Sequence, residues 1–237
     1  MRLDKYLVDE GYFESRNRAT DAIKAGLVEV DNKKAKPSTS IDSDTIVTVK
    51  ESKFYVSRAG RKLEGFLDES DLELYDKIAL DIGSSTGGFA QIILEKGIRH
   101  LDCVDVGSNQ LHITLRDKDN LSLYEQTDIR EFDTQKEYDI ITCDVSFISI
   151  LQIIDSIDKL SSNSTDIIIL YKPQFEVGKE IKRDARGVVL DIDAIGKAKE
   201  RFEQKAKELN WSLIDTKLSK LIGKDGNQEY IYHFKKI

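Results

Sequence analysis

A chain of 237 residues, 40% hydrophobic and 33% charged, has apolar material for a real core and length for one large domain or a small one joined to a medium one. Its formal charge of −7 and its two cysteines argue against a basic nucleic-acid coat and a disulfide-built secreted scaffold. The longest apolar run, around Ile167–Tyr171, is far below the roughly 20 residues that span a bilayer, and the start MRLDKY lacks a signal-like apolar stretch, so a cytoplasmic protein is expected.

The first 50 residues predict a compact α+β unit. Leu3, Tyr6 and Leu7 share one face of a helix that stops near Gly11. Ser15 is placed to cap a second helix, with Ala19, Ala22 and Ile23 inward and Gly26 as its stop. Val28 and Val30 alternate with polar residues, Asp31-Asn32 turns the chain, and Ile46, Val47 and Val49 supply another strand. Residues 1–60 hold 11 Lys/Arg against 10 Asp/Glu, while the remainder hold 25 against 33. The less acidic part therefore carries clustered cations, among them Lys5, Arg16, Arg18, Lys24 and Lys33, which form the expected RNA-binding patch. The elements Ser15-Arg16, Ala19, Gly26, Val28 and Val30 resemble the αL RNA-binding domain of a small-subunit ribosomal protein. That resemblance implies a surface for structured RNA, recognised through shape and phosphates.

We divide the chain into residues 1–52, a linker 53–61 and a second domain 62–237. In the second domain strands alternate with helices. Ile78–Asp81 ends in an acid before a Gly-rich turn and a helix from Phe89 to Lys96. Leu101–Val106 repeats the pattern, followed by a helix from about Ser108 to Arg116. Strands follow at Leu121–Tyr124, Tyr138–Val145 and Asp166–Tyr171, with a helix near Ile150–Leu160. A long helix over Ile192–Leu209 precedes two strands, Trp211–Leu218 and Glu229–Phe234, which form a hairpin. The seven strands predict a Rossmann-like α/β fold with a mostly parallel sheet, one antiparallel strand and its ligand site at the C-terminal strand ends. Cys103 and Cys143 lie in apolar runs and read as free core thiols. His100, His112 and His233 show no metal-ligand spacing, so no metal is expected.

The strongest local signal is Asp81-Ile82-Gly83-Ser84-Ser85-Thr86-Gly87-Gly88-Phe89. Glycines allow a sharp turn and close approach of a ligand, and the helix that follows offers free N–H groups. The spacing is neither the dinucleotide Gly-x-Gly-x-x-Gly nor a P-loop, which disfavours a nicotinamide oxidoreductase. The strand-end acid, this loop and Asp105-Val106 suit S-adenosylmethionine. Asp105 is placed to accept ribose hydroxyls and Asp128 to touch the adenine amino group. Asp144 and Lys172 end strands at the same edge, where a lysine can act as a base once its surroundings tune it.

The motifs SRAGRKL (57–63), DIGSSTGGF (81–89), DVGSNQL (105–111), CDVSFIS (143–149), KPQFEVG (172–178) and GNQEY (226–230) resemble the TlyA, or haemolysin-A-like, family, whose catalytic domain is of the FtsJ class. The resemblance implies a class I methyltransferase that uses S-adenosylmethionine to methylate the 2′-hydroxyl of an rRNA cytidine. It also implies ribosomal RNA or ribosomal subunits as partner, with no DNA and no membrane. By the same resemblance Lys62, Asp144, Lys172 and Glu229 form the catalytic set, with Lys172 the base, and Asp144 also borders the cofactor. Ala59 stands where relatives often carry glycine. Competing readings are a membrane-active haemolysin, which no apolar span supports, and a non-catalytic RNA-binding assembly protein. A pseudouridine synthase would need a Gly-Arg-Leu-Asp motif after residue 60, which is absent.

Overall fold

The computed structural model describes residues 1–10, 12–13, 15–50, 53 and 55–237, and the chain divides into two compact units, Met1–Phe54 and Tyr55–Ile237. The helix stop expected at Gly11 and the linker residue Phe54 lie outside the described residues.

In the first unit, α1 (Leu3–Asp9) and α2 (Arg16–Lys24) bury Leu3, Leu7, Ala19, Ala22 and Ile23 against Val28 and Ile41. Ser15 caps α2 by accepting the Arg18 N–H at 3.3 Å. The helix ends in a left-handed Gly26 (φ 76°), with the Leu27 N–H bonded to Ala22 O and the Gly26 N–H to Ile23 O. That pairing satisfies the last carbonyls, which explains why glycine stops the helix there. Strand β1 (Val28–Val30) turns through Asp31 (φ 49°) and Asn32 (φ 58°) into β2 (Lys33–Lys34) and pairs on its other side with β3 (Val47–Val49). Ile46, expected in that strand, falls outside it and is exposed. Its backbone is taken by Asp31, whose Oδ1 accepts the Ile46 N–H while the Asp31 N–H donates to Ile46 O.

The second unit opens with α3 (Arg58–Leu67), which starts inside the stretch 53–61. There follow β4 (Ile78–Ile82), α4 (Gly88–Glu95), β5 (His100–Val104), α5 (Ile113–Arg116), β6 (Leu121–Tyr124) and β7 (Tyr138–Cys143). The chain continues through α6 (Ile154–Lys159), β8 (Ser161–Tyr171), α7 (Pro173–Glu176), α8 (Ile192–Glu208), β9 (Trp211–Leu218) and β10 (Tyr230–Lys236). The sheet order is β6-β5-β4-β7-β8-β10-β9. Strands β4 to β8 run parallel, and β10 is inserted antiparallel between β8 and β9. From β4 the chain winds outward through β5 and β6, then returns to β7 on the other side of β4. A crevice opens at that reversal, at the C-terminal strand ends.

The central strands β4, β5, β7 and the second half of β8 are buried on both faces, which is why they read as unbroken apolar runs rather than alternations. Ile140, Ile168, Leu170 and Ile231 face α3 and α4, whereas Ile141, Ile167, Ile169 and Phe234 face the side of Phe202 and Trp211. Each such side chain contributes about 1.5–3 kcal/mol.

Two helices are shorter than expected. The helix anticipated from Ser108 begins only at Ile113, because Asn109 is left-handed (φ 56°). The one anticipated over Ile150–Leu160 is a 3₁₀ turn (Ile150–Gln152) and α6, parted at Ile153 (φ −123°).

Candidate active site

The loop between β4 and α4 is shaped by close contacts. Gly83 is left-handed (φ 76°), and a Cβ there would lie 2.9 Å from Asp144 O, so only glycine lets the ends of β4 and β7 approach this closely. Gly88 has a second reason: its Cβ would lie 2.1 Å from Ser57 Oγ and 2.8 Å from Ala59 Cβ. The SRAGRKL helix therefore sits directly on the Gly-rich turn. Gly87 provides the left-handed N-cap of α4, and Phe89 is not a cavity residue but part of the core beneath α3.

A cavity of about 370 Å³ opens at the β4/β7 crevice. Of the sequence-predicted cofactor residues, Gly83, Ser85, Asp105, Val106, Asp128 and Asp144 line it. Asp81, Ser84, Gly87, Gly88 and Phe89 do not line it. Asp105 accepts the Ser85 N–H on Oδ2 (2.8 Å) and the Gly107 N–H on Oδ1 (2.7 Å), tying the Gly-rich loop to the loop after β5. Gln110 adds a second tie by accepting the Ser85 hydroxyl at 3.1 Å. Asp128 accepts the Arg130 backbone N–H and Nε, both at 2.9 Å, and Nη2 at 2.5 Å; that guanidinium holds its carboxyl well below the usual range. A carboxylate offers about four acceptor positions, so both acids keep capacity for a ligand.

Asp81 is fully buried, and burial pushes its carboxyl up to about 7. Thr142 donates to its Oδ1 at 2.7 Å. Among the described residues Asp81 Oδ2 and Ser84 Oγ are buried without a hydrogen-bond partner.

Sheet register assembles the four predicted catalytic residues in two pairs. Continuing the pairing past Tyr230↔Tyr171 brings Glu229 opposite Lys172 at the strand ends. Lys172 Nζ lies 2.5 Å from Asp144 Oδ1 and donates to Ser146 Oγ at 2.9 Å. Lys62, carried on α3, reaches Glu229 Oε2 at 2.5 Å. Three of the four, Lys62, Lys172 and Glu229, are buried. Two ion pairs thus balance two cations against two anions at one sheet edge, beside a cavity that none but Asp144 lines.

Other functional residues were not singled out from sequence. Glu176, at the end of α7, accepts the Ser149 hydroxyl (2.6 Å) and the Ile150 N–H (2.9 Å), clamping the CDVSFIS segment to the KPQFE segment. Asn227 similarly binds Val189 N and Gly187 O, anchoring the loop that ends in Glu229. Phe147 lines the cavity in a left-handed conformation (φ 66°), 91% exposed, with its ring centroid 5.2 Å from that of Phe175. The motif spacing signalled the first two; nothing in the sequence signalled the exposure of Phe147.

In the first unit Lys5 sits on α1, Arg16, Arg18 and Lys24 on α2, and Lys33 on β2. Lys5, Arg16, Lys24 and Lys33 are exposed, and Arg18 is half-buried. The buried Asp4 holds two guanidiniums at once, Arg2 (Nη2 at 2.9 Å) and Arg16 (Nη2 at 2.8 Å), which drive its carboxyl far below the usual range. Arg2 and Asp4 are not among the expected patch residues, because the carboxylate that joins Arg2 to Arg16 does so across two helices, a contact the local pattern does not signal.

The FtsJ-like methyltransferase family matches residues 55–236, and the S4 domain family matches residues 1–47. The chain is 49% identical over 183 residues to the 23S rRNA (cytidine-2′-O)-methyltransferase TlyA of Campylobacter jejuni, covering 77% of this chain and 72% of that one. It is 35% identical over 235 residues to the 16S/23S rRNA (cytidine-2′-O)-methyltransferase TlyA of Mycobacterium tuberculosis, covering 97% and 87%. Among solved structures, a protein described as a hemolysin from Streptococcus thermophilus superposes with a TM-score of 0.74 at 34% identity, covering 100% of this chain and 88% of that one.

Proposed function

The chain belongs to the FtsJ-like methyltransferase family, in its TlyA branch, and from that premise we propose that it methylates a cytidine ribose 2′-hydroxyl of ribosomal RNA with S-adenosylmethionine. The observation that carries the chemistry is the pairing of Lys172 with Asp144 at the rim of the cavity, 2.5 Å apart.

The residues present fit that cofactor. Asp105 and Asp128 offer acceptors at the wall, Ile129 and Ile148 offer apolar surface for a flat ring, and two buried oxygens, on Asp81 and Ser84, lie unpaired behind the Gly-rich loop. When bound, S-adenosylmethionine supplies a methyl group on a positively charged sulfur, open to in-line displacement. Lys172 Nζ, once it has given up one of its own protons to solvent, has the lone pair to take the proton of the ribose hydroxyl, while Asp144 and Ser146 hold that nitrogen in place. Lys62 and Glu229 complete the charge balance behind it. Phe147, exposed at the cavity mouth, offers a ring on which the target base stacks once it leaves its helix.

Labelled methyl transfer to purified ribosomal subunits tests this directly. The expected product is label in an alkali-resistant dinucleotide with cytidine on its 5′ side. Label in base rather than ribose, or in no ribosomal RNA despite cofactor binding, would sink the proposal.

The first unit carries the RNA affinity in this reading. Charge reversal at Arg16 and Arg18 is expected to weaken RNA binding about tenfold or more and to lower the salt slope by about 2, with cofactor affinity unchanged. A filter-binding titration at several salt concentrations reads both quantities, and an unaltered slope would remove these residues from the contact.

A further inference from the structure

Thr142 sits in β7 with no exposed surface, directly opposite Asp81 in the sheet register. Its hydroxyl has one hydrogen, and the short contact goes to Asp81 Oδ1 at 2.7 Å, against 3.5 Å to Leu80 O. Its neighbours along the strand, Ile140, Ile141 and Cys143, are core residues. Packing alone would be served by valine, so the hydroxyl calls for another reason.

The surroundings of Asp81 supply one. On the β5 side stand its register partner Cys103 and the acid Asp105; on the β7 side stand Thr142, Cys143 and Asp144. From α4 only the Ala90 backbone amide contributes, and more weakly. The two lysines of the candidate site are taken elsewhere, Lys172 by Asp144 and Lys62 by Glu229. Among the described residues no lysine or arginine forms an ion pair with Asp81. An ionised carboxylate at this point loses its hydration and faces two acids, which is costly unless donors or an incoming cation compensate.

We propose that Thr142 is a positioning residue for cofactor binding: its hydroxyl holds the Asp81 carboxylate ionised and oriented beneath the Gly83–Gly88 loop, where it attracts the ammonium group at the amino-acid end of S-adenosylmethionine. The inference rests on the cofactor reading above. It explains why a buried acid with an unpaired Oδ2 is kept behind the cavity wall, and why its one side-chain donor comes from the facing strand. Asp81 acts here through the loop, without lining the cavity itself.

The test is a calorimetric titration of the full chain with S-adenosylhomocysteine between pH 5.5 and 8.5, which keeps the ammonium group and permits no turnover. Wild-type affinity is expected to rise with pH, with a midpoint near the value of about 7 to which Asp81 is raised. Thr142→Val should move that midpoint up by about one pH unit and weaken binding at pH 7 by about 3- to 10-fold, the two proteins converging at the alkaline end. Thr142→Ser should restore the wild-type profile, and Asp81→Asn should bind weakly with no such midpoint. A change confined to packing would lower the melting temperature and leave the midpoint in place. Should Thr142→Val not fold, Thr142→Ala carries the same expectation. A valine profile superimposed on wild type, or a serine profile shifted as far as valine, overturns the role of Thr142 while leaving the cofactor reading standing. No binding by wild type at any pH overturns both.

Discussion

Lys172→Ala is expected to lower methyl transfer by about 10²- to 10⁴-fold, the usual contribution of a positioned general base, while changing S-adenosylhomocysteine affinity little. The separation follows from placement. Lys172 is buried at the end of β8 and points its nitrogen at Asp144 and Ser146, but it forms no part of the cavity lining. Removing it therefore takes away the proton acceptor and leaves the Gly-rich loop, Asp105 and Asp128 where they are. Lys172→Arg refines the question, since a guanidinium keeps the charge opposite Asp144 yet does not give up its proton near neutral pH. If charge alone mattered, arginine would restore much of the rate. If proton acceptance matters, arginine should be nearly as inactive as alanine while melting closer to wild type. Single-turnover methyl transfer with saturating cofactor reads this without interference from product release. A Lys172→Ala rate within tenfold of wild type would remove Lys172 from the role of base.

The ends of strands were the most legible part of this chain. Asp81, Asp105, Asp144 and Lys172 each follow or close an apolar run, and a doubly wound sheet brings such ends to one edge, so their convergence could be read from periodicity. Their division of labour could not. Asp81 and Asp105 look alike in sequence, each an acid after a strand, yet one is sealed in the core and the other lines the cavity. That difference is set by position along the strand: Asp81 lies inside β4, level with Cys103, whereas Asp105 stands one residue past the end of β5. Glu229 is a sharper case. The apolar pattern puts it in the last strand, but it stands one residue before β10, and only the insertion of β10 between β8 and β9 brings it to the edge that carries Lys172. Lys62 was reachable only by family resemblance, because nothing local predicts that Gly60 and Gly88 let α3 and α4 pack closely enough to carry its nitrogen to Glu229. The failed stretch at Ser108 has a local cause: Asn109 adopts a left-handed turn, and the Gln110 side chain reaches Ser85, two features a helical pattern conceals.

The pair formed by Lys62 and Glu229 leads to the other large effect, on stability rather than rate. Both side chains are almost fully enclosed, 10% and 4% exposed, with 2.5 Å between Nζ and Oε2. Breaking a buried pair by deleting one member leaves the other charge without water or partner, at about 3–5 kcal/mol. Glu229→Ala is therefore expected to lose most of that stability, and Lys62→Met a similar amount. Gly223 leaves little room for rearrangement, since a Cβ there would already stand 2.7 Å from Glu229 Oε1. The double variant Lys62→Met/Glu229→Leu removes both charges and fills the space with apolar atoms, so it should recover to within about 1–2 kcal/mol of wild type. Urea unfolding followed by the fluorescence of Trp211, the sole tryptophan and a core residue of the second unit, reports on that unit alone. A Glu229→Ala midpoint within 1 kcal/mol of wild type would mean that the pair is hydrated in solution. The double variant also separates two reasons for keeping these charges. If it is stable but transfers methyl groups poorly, the pair is retained for the chemistry at Lys172. A stable double variant with full activity would instead make the pair dispensable, and leave Lys172 and Asp144 as the working residues.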